Sequence, residues 1–175
     1  MVCLYLADGF EETEAVATYD ILKRAGLTVK TVGVGGKIIH GAHGLTVEAD
    51  ILENAAGLSD AEMIVLPGGM PGARNLKNSA AVAHAVEAAL AGNKIIGAIC
   101  AAPGVVLAGT GALHGKRWTC YPGFEVSEGR YTGMRTERDG NLITADGPGA
   151  ASEFAFLLVE AALGEKAAAA LQASF

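Results

Sequence analysis

Three groups of residues in this chain could do chemistry together, and a cysteine stands at their centre. Cys100 closes the apolar run Lys94-Ile95-Ile96-Gly97-Ala98-Ile99 and is followed by Ala101-Ala102-Pro103-Gly104. An apolar strand that delivers one nucleophilic side chain to the start of a helix has the form of a nucleophile elbow, in which the turn forces that side chain out above the sheet. Small neighbours at Gly97, Ala98, Ala101 and Ala102 let strand and helix pack closely behind it. Free N–H groups and partial positive charge at a helix N-terminus favour thiolate over thiol, and thiols so placed titrate at about 3.5–7.5 rather than about 8.5. The competing reading is a buried, inert cysteine, the commonest fate of this residue. A mid-strand position would suit that role better than a strand end.

The second group is Pro67-Gly68-Gly69-Met70-Pro71-Gly72, which also follows an apolar run. Its glycines free the backbone to turn N–H groups toward a ligand. With Gly69 facing the space over Cys100, its N–H and that of Ala101 could bind an oxyanion. Taken alone, the segment reads as an ordinary glycine turn, and with no Gly-Lys-Ser/Thr it is not a phosphate loop. The third group is Asp8-Gly9-Phe10-Glu11-Glu12-Thr13-Glu14, an acidic helix start. Carboxylates there complement the helix dipole in any case. One of the three glutamates could instead face the thiol. A carboxyl that close to a thiolate must hold a proton, and would donate it as a hydrogen bond to sulfur. Spacing does not say which glutamate does so.

The rest of the titratable inventory is quieter. His40, His43, His84 and His114 lie far from Cys100 in sequence, and no His/Glu cluster has metal-ligand spacing, so no metal site is expected. Three cysteines without a CxxC pair argue against a disulfide framework or a cysteine-based zinc site. Cys3 reads as core, and Cys120 could approach Cys100.

Those three groups need a scaffold that brings them to one edge. The chain has 175 residues, the size of one domain, is 51% hydrophobic and only 18% charged, and carries a net charge of −6. Disorder is not expected, nor is nucleic-acid binding, since no basic cluster stands out. No stretch approaches the ~18 apolar residues of a membrane span, and the start lacks a basic leader, which points to the cytoplasm. Strand patterns at 2–6, 27–34, 63–66, 94–99, 118–119 and 142–144 alternate with helical patterns at 11–25, 79–91, 102–108, 149–163 and 165–173. Residues 37–39 and 45–47 read as a hairpin projecting from the main sheet. Ser79 or Asn78 would cap the helix after it. This alternation predicts one α/β sandwich over residues 1–175, its mostly parallel sheet covered on both faces. Sites in such sheets form beyond the carboxyl ends of the strands, where Asp8–Glu14, Leu66–Gly72 and Ile99–Gly104 should meet.

Four segments then fall into a recognisable order: Ala7-Asp8-Gly9-Phe10-Glu11-Glu12-Thr13-Glu14, Val65-Leu66-Pro67-Gly68-Gly69-Met70-Pro71-Gly72-Ala73, Ala98-Ile99-Cys100-Ala101-Ala102-Pro103 and Asp146-Gly147-Pro148-Gly149. Order and spacing together resemble the ThiJ/PfpI superfamily, and within it the Parkinsonism-associated deglycase, glyoxalase III-like branch, over essentially the whole chain. The resemblance implies a flavodoxin-like (Rossmann-like) three-layer sandwich and a homodimer. It implies that Cys100 is the nucleophile and an oxidation-sensitive thiol, that Glu14 holds a proton toward the sulfur, and that Gly69 and Ala101, with Gly68 beside them, bind oxyanion and substrate. Tyr121, Asp146 and Pro148 are candidates for a supporting role. The activities it implies are cofactor-free: conversion of methylglyoxal to lactate, or repair of early glycation adducts on protein. Oxidative-stress sensing or chaperoning through Cys100 is the alternative.

Two departures from the superfamily matter. Its protease-like members carry a histidine directly after the cysteine, where this chain has Ala101. That removes the obvious base for peptide hydrolysis and leaves a cysteine peptidase as a distant alternative. Some deglycase relatives have a histidine where this chain has Tyr121. A phenol donates a hydrogen bond but is a poor base near neutral pH, so Glu14 or the substrate itself would shuttle the proton.

Overall fold

The uninterrupted apolar run Val2–Leu6 cannot face water on either side, and it forms β1 in the middle of the sheet with every residue buried. The structure, a computed structural model, describes residues 1–55 and 57–175, with Ser59 described by its backbone only. After β1 the chain enters α1 (Glu12–Arg24), whose ends follow the dipole. Glu12 and Glu14 lie in the first turn, Lys23 and Arg24 in the last. β2 (Val29–Gly33) returns beside β1. The hairpin of β3 (Ile38–His40) and β4 (Thr46–Glu48) then stands apart as its own two-stranded sheet, and β5 (Ile51–Leu52) forms an edge.

A 3₁₀ turn (Leu58–Asp60) leads to β6 (Met63–Leu66), then α2 (Gly72–Lys77) and α3 (Ala80–Ala91). Ser79 caps α3, its hydroxyl accepting from the Val82 N–H at 3.2 Å. β7 (Ile95–Ile99) runs into α4 (Ala102–Val105). Two short strands, β8 (Arg117–Trp118) and β9 (Arg130–Tyr131), pair with each other. β10 (Thr136–Asp139), β11 (Leu142–Ala145), a 3₁₀ turn (Pro148–Ala150), α5 (Ala151–Leu163) and α6 (Glu165–Ser174) complete the chain.

The main sheet has seven strands in the order β10-β11-β7-β6-β1-β2-β5, parallel except for the β10–β11 pair. This is the expected flavodoxin-like architecture. β1 steps to β2 on one side, and β6 steps to β7 on the other. Right-handed crossovers therefore place α1 and α3 on opposite faces. α1 packs with α5 on one face, while α2 neighbours both α3 and α4 on the other. The α5 face is close-packed: a Cβ on Gly97 of β7 would lie 2.9 Å from Leu158 and 3.0 Å from Phe154. Between β1 and β6 the direction of winding reverses, and a crevice at their carboxyl ends follows from topology alone. No helix among the described residues is long and apolar enough to cross a membrane.

The structure trims or adds to the expected elements for local reasons. The helix expected over 102–108 stops at Val105, and the chain beyond it turns repeatedly at Gly109, Gly111 and Gly115, all at positive φ. The strand expected from Leu27 starts at Val29, since the Leu27 N–H closes the end of α1 on the Leu22 carbonyl at 3.2 Å. β5, α2, β9 and β10 are too short or too polar to stand out as periodic patterns.

Candidate active site

The three expected segments meet at that crevice. Cys100 follows β7 with φ +62°, one of two non-glycine residues with positive φ among the described residues. An L-residue held there is strained by about 1–3 kcal/mol and stays only where its surroundings fix it. They do so here from both sides. The Cys100 N–H donates to the Ala145 carbonyl at 2.9 Å, and the Cys100 carbonyl accepts from the Tyr121 N–H at 2.8 Å. The elbow therefore exists, and Cys100 as a residue is 9% exposed.

Glu14, in the first turn of α1, is the glutamate that faces the thiol, and it is 1% exposed. Its neighbours point elsewhere. Glu11 caps α1 by accepting from the Glu14 N–H at 2.8 Å, and Glu12 holds the hairpin through the His43 N–H and ring. The Gly68 N–H donates to Glu14 Oε2 at 2.7 Å. Oε1 is buried without a hydrogen-bond partner among the described residues, and the carboxyl lies close enough to Cys100 for each group to shift the other's titration. Gly69 (φ +85°) and Ala101 direct their backbone N–H groups at the sulfur. A Cβ on Gly68 would sit 2.6 Å from Cys100 Cβ and 3.0 Å from Glu14 Oε2, so only glycine lets the turn lie between thiol and carboxyl. The loops also lock backbone to backbone: Glu11 N–H donates to the Gly68 carbonyl at 3.0 Å, and Gly72 N–H to the Gly9 carbonyl at 3.2 Å.

The electrostatics differ from the expected simple thiolate at a helix start. α4 is a four-residue turn and supplies little dipole. Burial pushes Glu14 up to about 7, against the pull of the Gly68 N–H. Burial, and then a charged Glu14, push the Cys100 thiol up to about 12, while the Gly69 and Ala101 N–H groups pull it down. The expectation of a thiol lowered by the helix alone is therefore corrected. Thiol and carboxyl form a coupled pair that accommodates one negative charge, not two.

Cys100, Glu14, Gly68, Gly69 and Ala101 thus come together. Tyr121 joins through its backbone. Its side chain is 48% exposed, packs edge-on to Phe124, and lies 3.2 Å from the position of a Cβ on Gly147. Asp146 and Pro148 follow β11, the neighbour of β7, but among the described residues neither hydrogen-bonds Cys100. The Asp146 N–H goes to the Arg135 carbonyl at 3.0 Å. None of the four histidines hydrogen-bonds the thiol. Sequence spacing missed a trio that the hairpin assembles: donor atoms of Glu11, Glu12 and His43 lie within 4.8 Å of one another. Those carboxylates already accept from backbone N–H groups, and the trio reads as a clasp between hairpin and α1.

A parallel α/β sandwich with a strained cysteine at the switch-point crevice, a buried glutamate against it and a Gly-Gly turn between them defines a class. Residues 1–161 match the DJ-1/PfpI family, and the chain belongs to it. Within the family it stands with the DJ-1 branch. It is 35% identical over 175 residues to the Parkinson disease protein 7 homolog of Danio rerio, covering 96% of this chain and 92% of that one. A Caenorhabditis elegans relative named as a glutathione-independent glyoxalase is 31% identical over 159 residues, covering 86% of this chain and 81% of its own. Protein DJ-1 homolog B of Arabidopsis thaliana is 37% identical over 158 residues; these cover 89% of this chain but 36% of the plant protein. The solved structure of oxidized Toxoplasma gondii DJ-1 superposes with a TM-score of 0.91 at 34% identity, covering 99% of this chain and 96% of that one.

Proposed function

We propose that this chain is a cofactor-free, cysteine-dependent enzyme that converts small 2-oxoaldehydes to 2-hydroxy acids, or releases the same carbonyl compounds from early glycation adducts. The observation that carries this reading is the coupled Glu14–Cys100 pair. Two backbone N–H groups face the sulfur and one faces the carboxylate. The pair gives up its first proton at about 7 and holds its second up to about 12; we assign the first charge to sulfur, which two N–H groups face, and the remaining proton to Glu14 Oε1, the atom left without another partner.

In that state the Cys100 thiolate attacks the aldehyde carbon and forms a C–S bond. The carbonyl electrons move onto oxygen, which takes the Glu14 proton, with the Gly69 and Ala101 N–H groups in reach of that oxygen. The product is a neutral hemithioacetal beside a carboxylate. Glu14 then removes the proton from the former aldehyde carbon, and a proton returns at the neighbouring carbonyl carbon through the enediol. The first carbon is oxidised to a thioester and the second reduced to an alcohol, so no external oxidant is needed. Water, deprotonated by Glu14, cleaves the thioester, releasing the hydroxy acid and Cys100. The relative named as a glyoxalase supports this reading.

Methylglyoxal turnover to lactate tests it, with Cys100→Ser and Glu14→Gln as comparisons. Equal rates for wild type and Cys100→Ser overturn the proposal. The oxidized state of the T. gondii structure favours a second reading, in which Cys100 is a redox sensor. It expects mass gains of one and two oxygens confined to Cys100 under mild peroxide, and oxidation spread over all three cysteines removes it.

A further inference from the structure

A second concavity lies over the carboxyl ends of β1, β2 and β5, against the start of α3. Its volume is about 850 Å³, within the range of about 300–1,000 Å³ usual for small-ligand sites. Cys100, Glu14, Gly68 and Gly69 do not line it, so it is separate from the thiol site.

The chemistry of its wall is specific. Asn54, Asn75, Asn78, Ser79, Asp8 and Glu53 line it, and no lysine or arginine among the described residues does. Part of this set is fixed by the fold. Glu53 accepts from the Ser79 hydroxyl at 2.5 Å and from the Gly35 N–H at 2.9 Å. Asp8 accepts from the His40 N–H at 2.8 Å, and the Asn75 amide donates to the Asp8 carbonyl at 2.8 Å. The side chains of Asn54 and Asn78 have no hydrogen-bond partner among the described residues. Ile38 and Leu52, 52% and 40% exposed, add apolar surface to the lining.

A second observation lies deeper. Glu53, Asn54, Ala80 and Ala81 also line an adjoining cavity of about 420 Å³, which Tyr5 lines too. Tyr5 is 0% exposed, and its hydroxyl lacks a hydrogen-bond partner among the described residues. Burial and the nearby Cys3 and Glu53 hold the phenol neutral by raising its pKa. A buried, unpartnered hydroxyl is costly, by about 1–3 kcal/mol, unless something polar reaches it.

Two acidic residues and no lysine or arginine weigh against phosphates and carboxylates as ligands, despite the start of α3 nearby. The lining matches a ring that presents vicinal hydroxyls on its edges and C–H groups on a face. We propose that this groove binds a neutral sugar, its hydroxyls held by Asn54, Asn75, Asn78 and Glu53 and its apolar face against Ile38 and Leu52. The inference stands apart from the thiol chemistry proposed above.

The test is an NMR titration of ¹⁵N-labelled full-length protein with methyl α-D-glucopyranoside, a sugar without a reducing aldehyde that cannot react with Cys100. The expected result is saturable shifts of the Asn54, Asn75 and Asn78 side-chain amides. The double variant Asn54→Ala/Asn78→Ala should bind about tenfold more weakly, from the loss of two hydrogen bonds, with its thermal midpoint and methylglyoxal turnover unchanged. Cys100→Ser should bind the glucoside as wild type does. Non-saturating shifts, equal affinity of the double variant, or loss of binding in Cys100→Ser overturns the proposal. So do groove shifts produced by inorganic phosphate or propylammonium but not by the glucoside.

Discussion

Replacing Glu14 by Gln changes the charge on one buried atom pair with little change of shape, and the sign of its effect on Cys100 decides which group carries the proton. If Glu14 were charged beside a neutral thiol, its carboxylate would oppose ionisation of the sulfur. At hydrogen-bonding range and an effective dielectric of about 20, that repulsion is about 4 kcal/mol, or about three pH units. Glutamine would remove it, and the thiol midpoint would fall steeply. If Glu14 is the protonated partner, as proposed, glutamine only exchanges an O–H donor to the thiolate for a weaker N–H donor. The loss is about 1 kcal/mol, and the midpoint rises by about 0.7 of a pH unit. Ultraviolet thiolate absorbance against pH, with Cys100→Ser subtracted, reads this directly. Cys120 is pushed up to about 12 by burial and then by Glu125, and burial raises Cys3, so neither contributes near neutrality. The expected outcome is a small rise in Glu14→Gln. A fall of more than one unit would falsify the assignment of the proton to Glu14, and with it the order of steps proposed for the aldehyde.

The same raised carboxyl makes the fold pH-sensitive. The Glu14–Cys100 pair gives up its first proton at about 7 when folded, against 4.5 for a glutamate free in water. The folded state therefore holds the proton more tightly, so the contribution is fully present below about 4.5 and is lost as pH rises through about 7. That window corresponds to about 3 kcal/mol; urea denaturation from acid to neutral pH should show it in wild type and not in Glu14→Gln, and a stability that rises over this range contradicts it. Gly68→Ala forces a methyl to within 2.6 Å of Cys100 Cβ. We expect about 1–3 kcal/mol of destabilisation and at least tenfold slower methylglyoxal turnover; a fully active, equally stable variant would mean the three loops are looser than described.

Much of this is legible in the chain because the site is made of short local signals. Strand-to-turn boundaries at Leu66, Ile99 and Leu6 place all three loops at one edge without any structure. A parallel sheet sends successive carboxyl ends the same way. The choice among Glu11, Glu12 and Glu14 is not legible from spacing alone. It depends on the phase of α1, which Glu11 sets by acting as the cap in place of the usual Ser, Thr, Asp or Asn. Nor is the Glu12–His43 clasp, because its two halves lie 31 residues apart and meet only through the hairpin. The direction of the thiol shift escapes the sequence for a related reason. The helix start is visible there, but not its brevity, and burial outweighs a single turn of dipole.

The interlocked backbone of the Gly9–Glu11 and Gly68–Gly72 loops has a consequence for how this scaffold can diversify. A Cβ on Gly69 or Gly72 would run into the Gly9 carbonyl, so the inner wall around the thiol admits almost no variation in side chain. Met70 and Tyr121, 36% and 48% exposed on the chain beside that wall, are under no such constraint. The molecule separates a fixed reactive centre from a changeable rim. Selection for a new substrate would therefore act on the rim residues, while the proton-sharing pair beneath them is inherited unchanged.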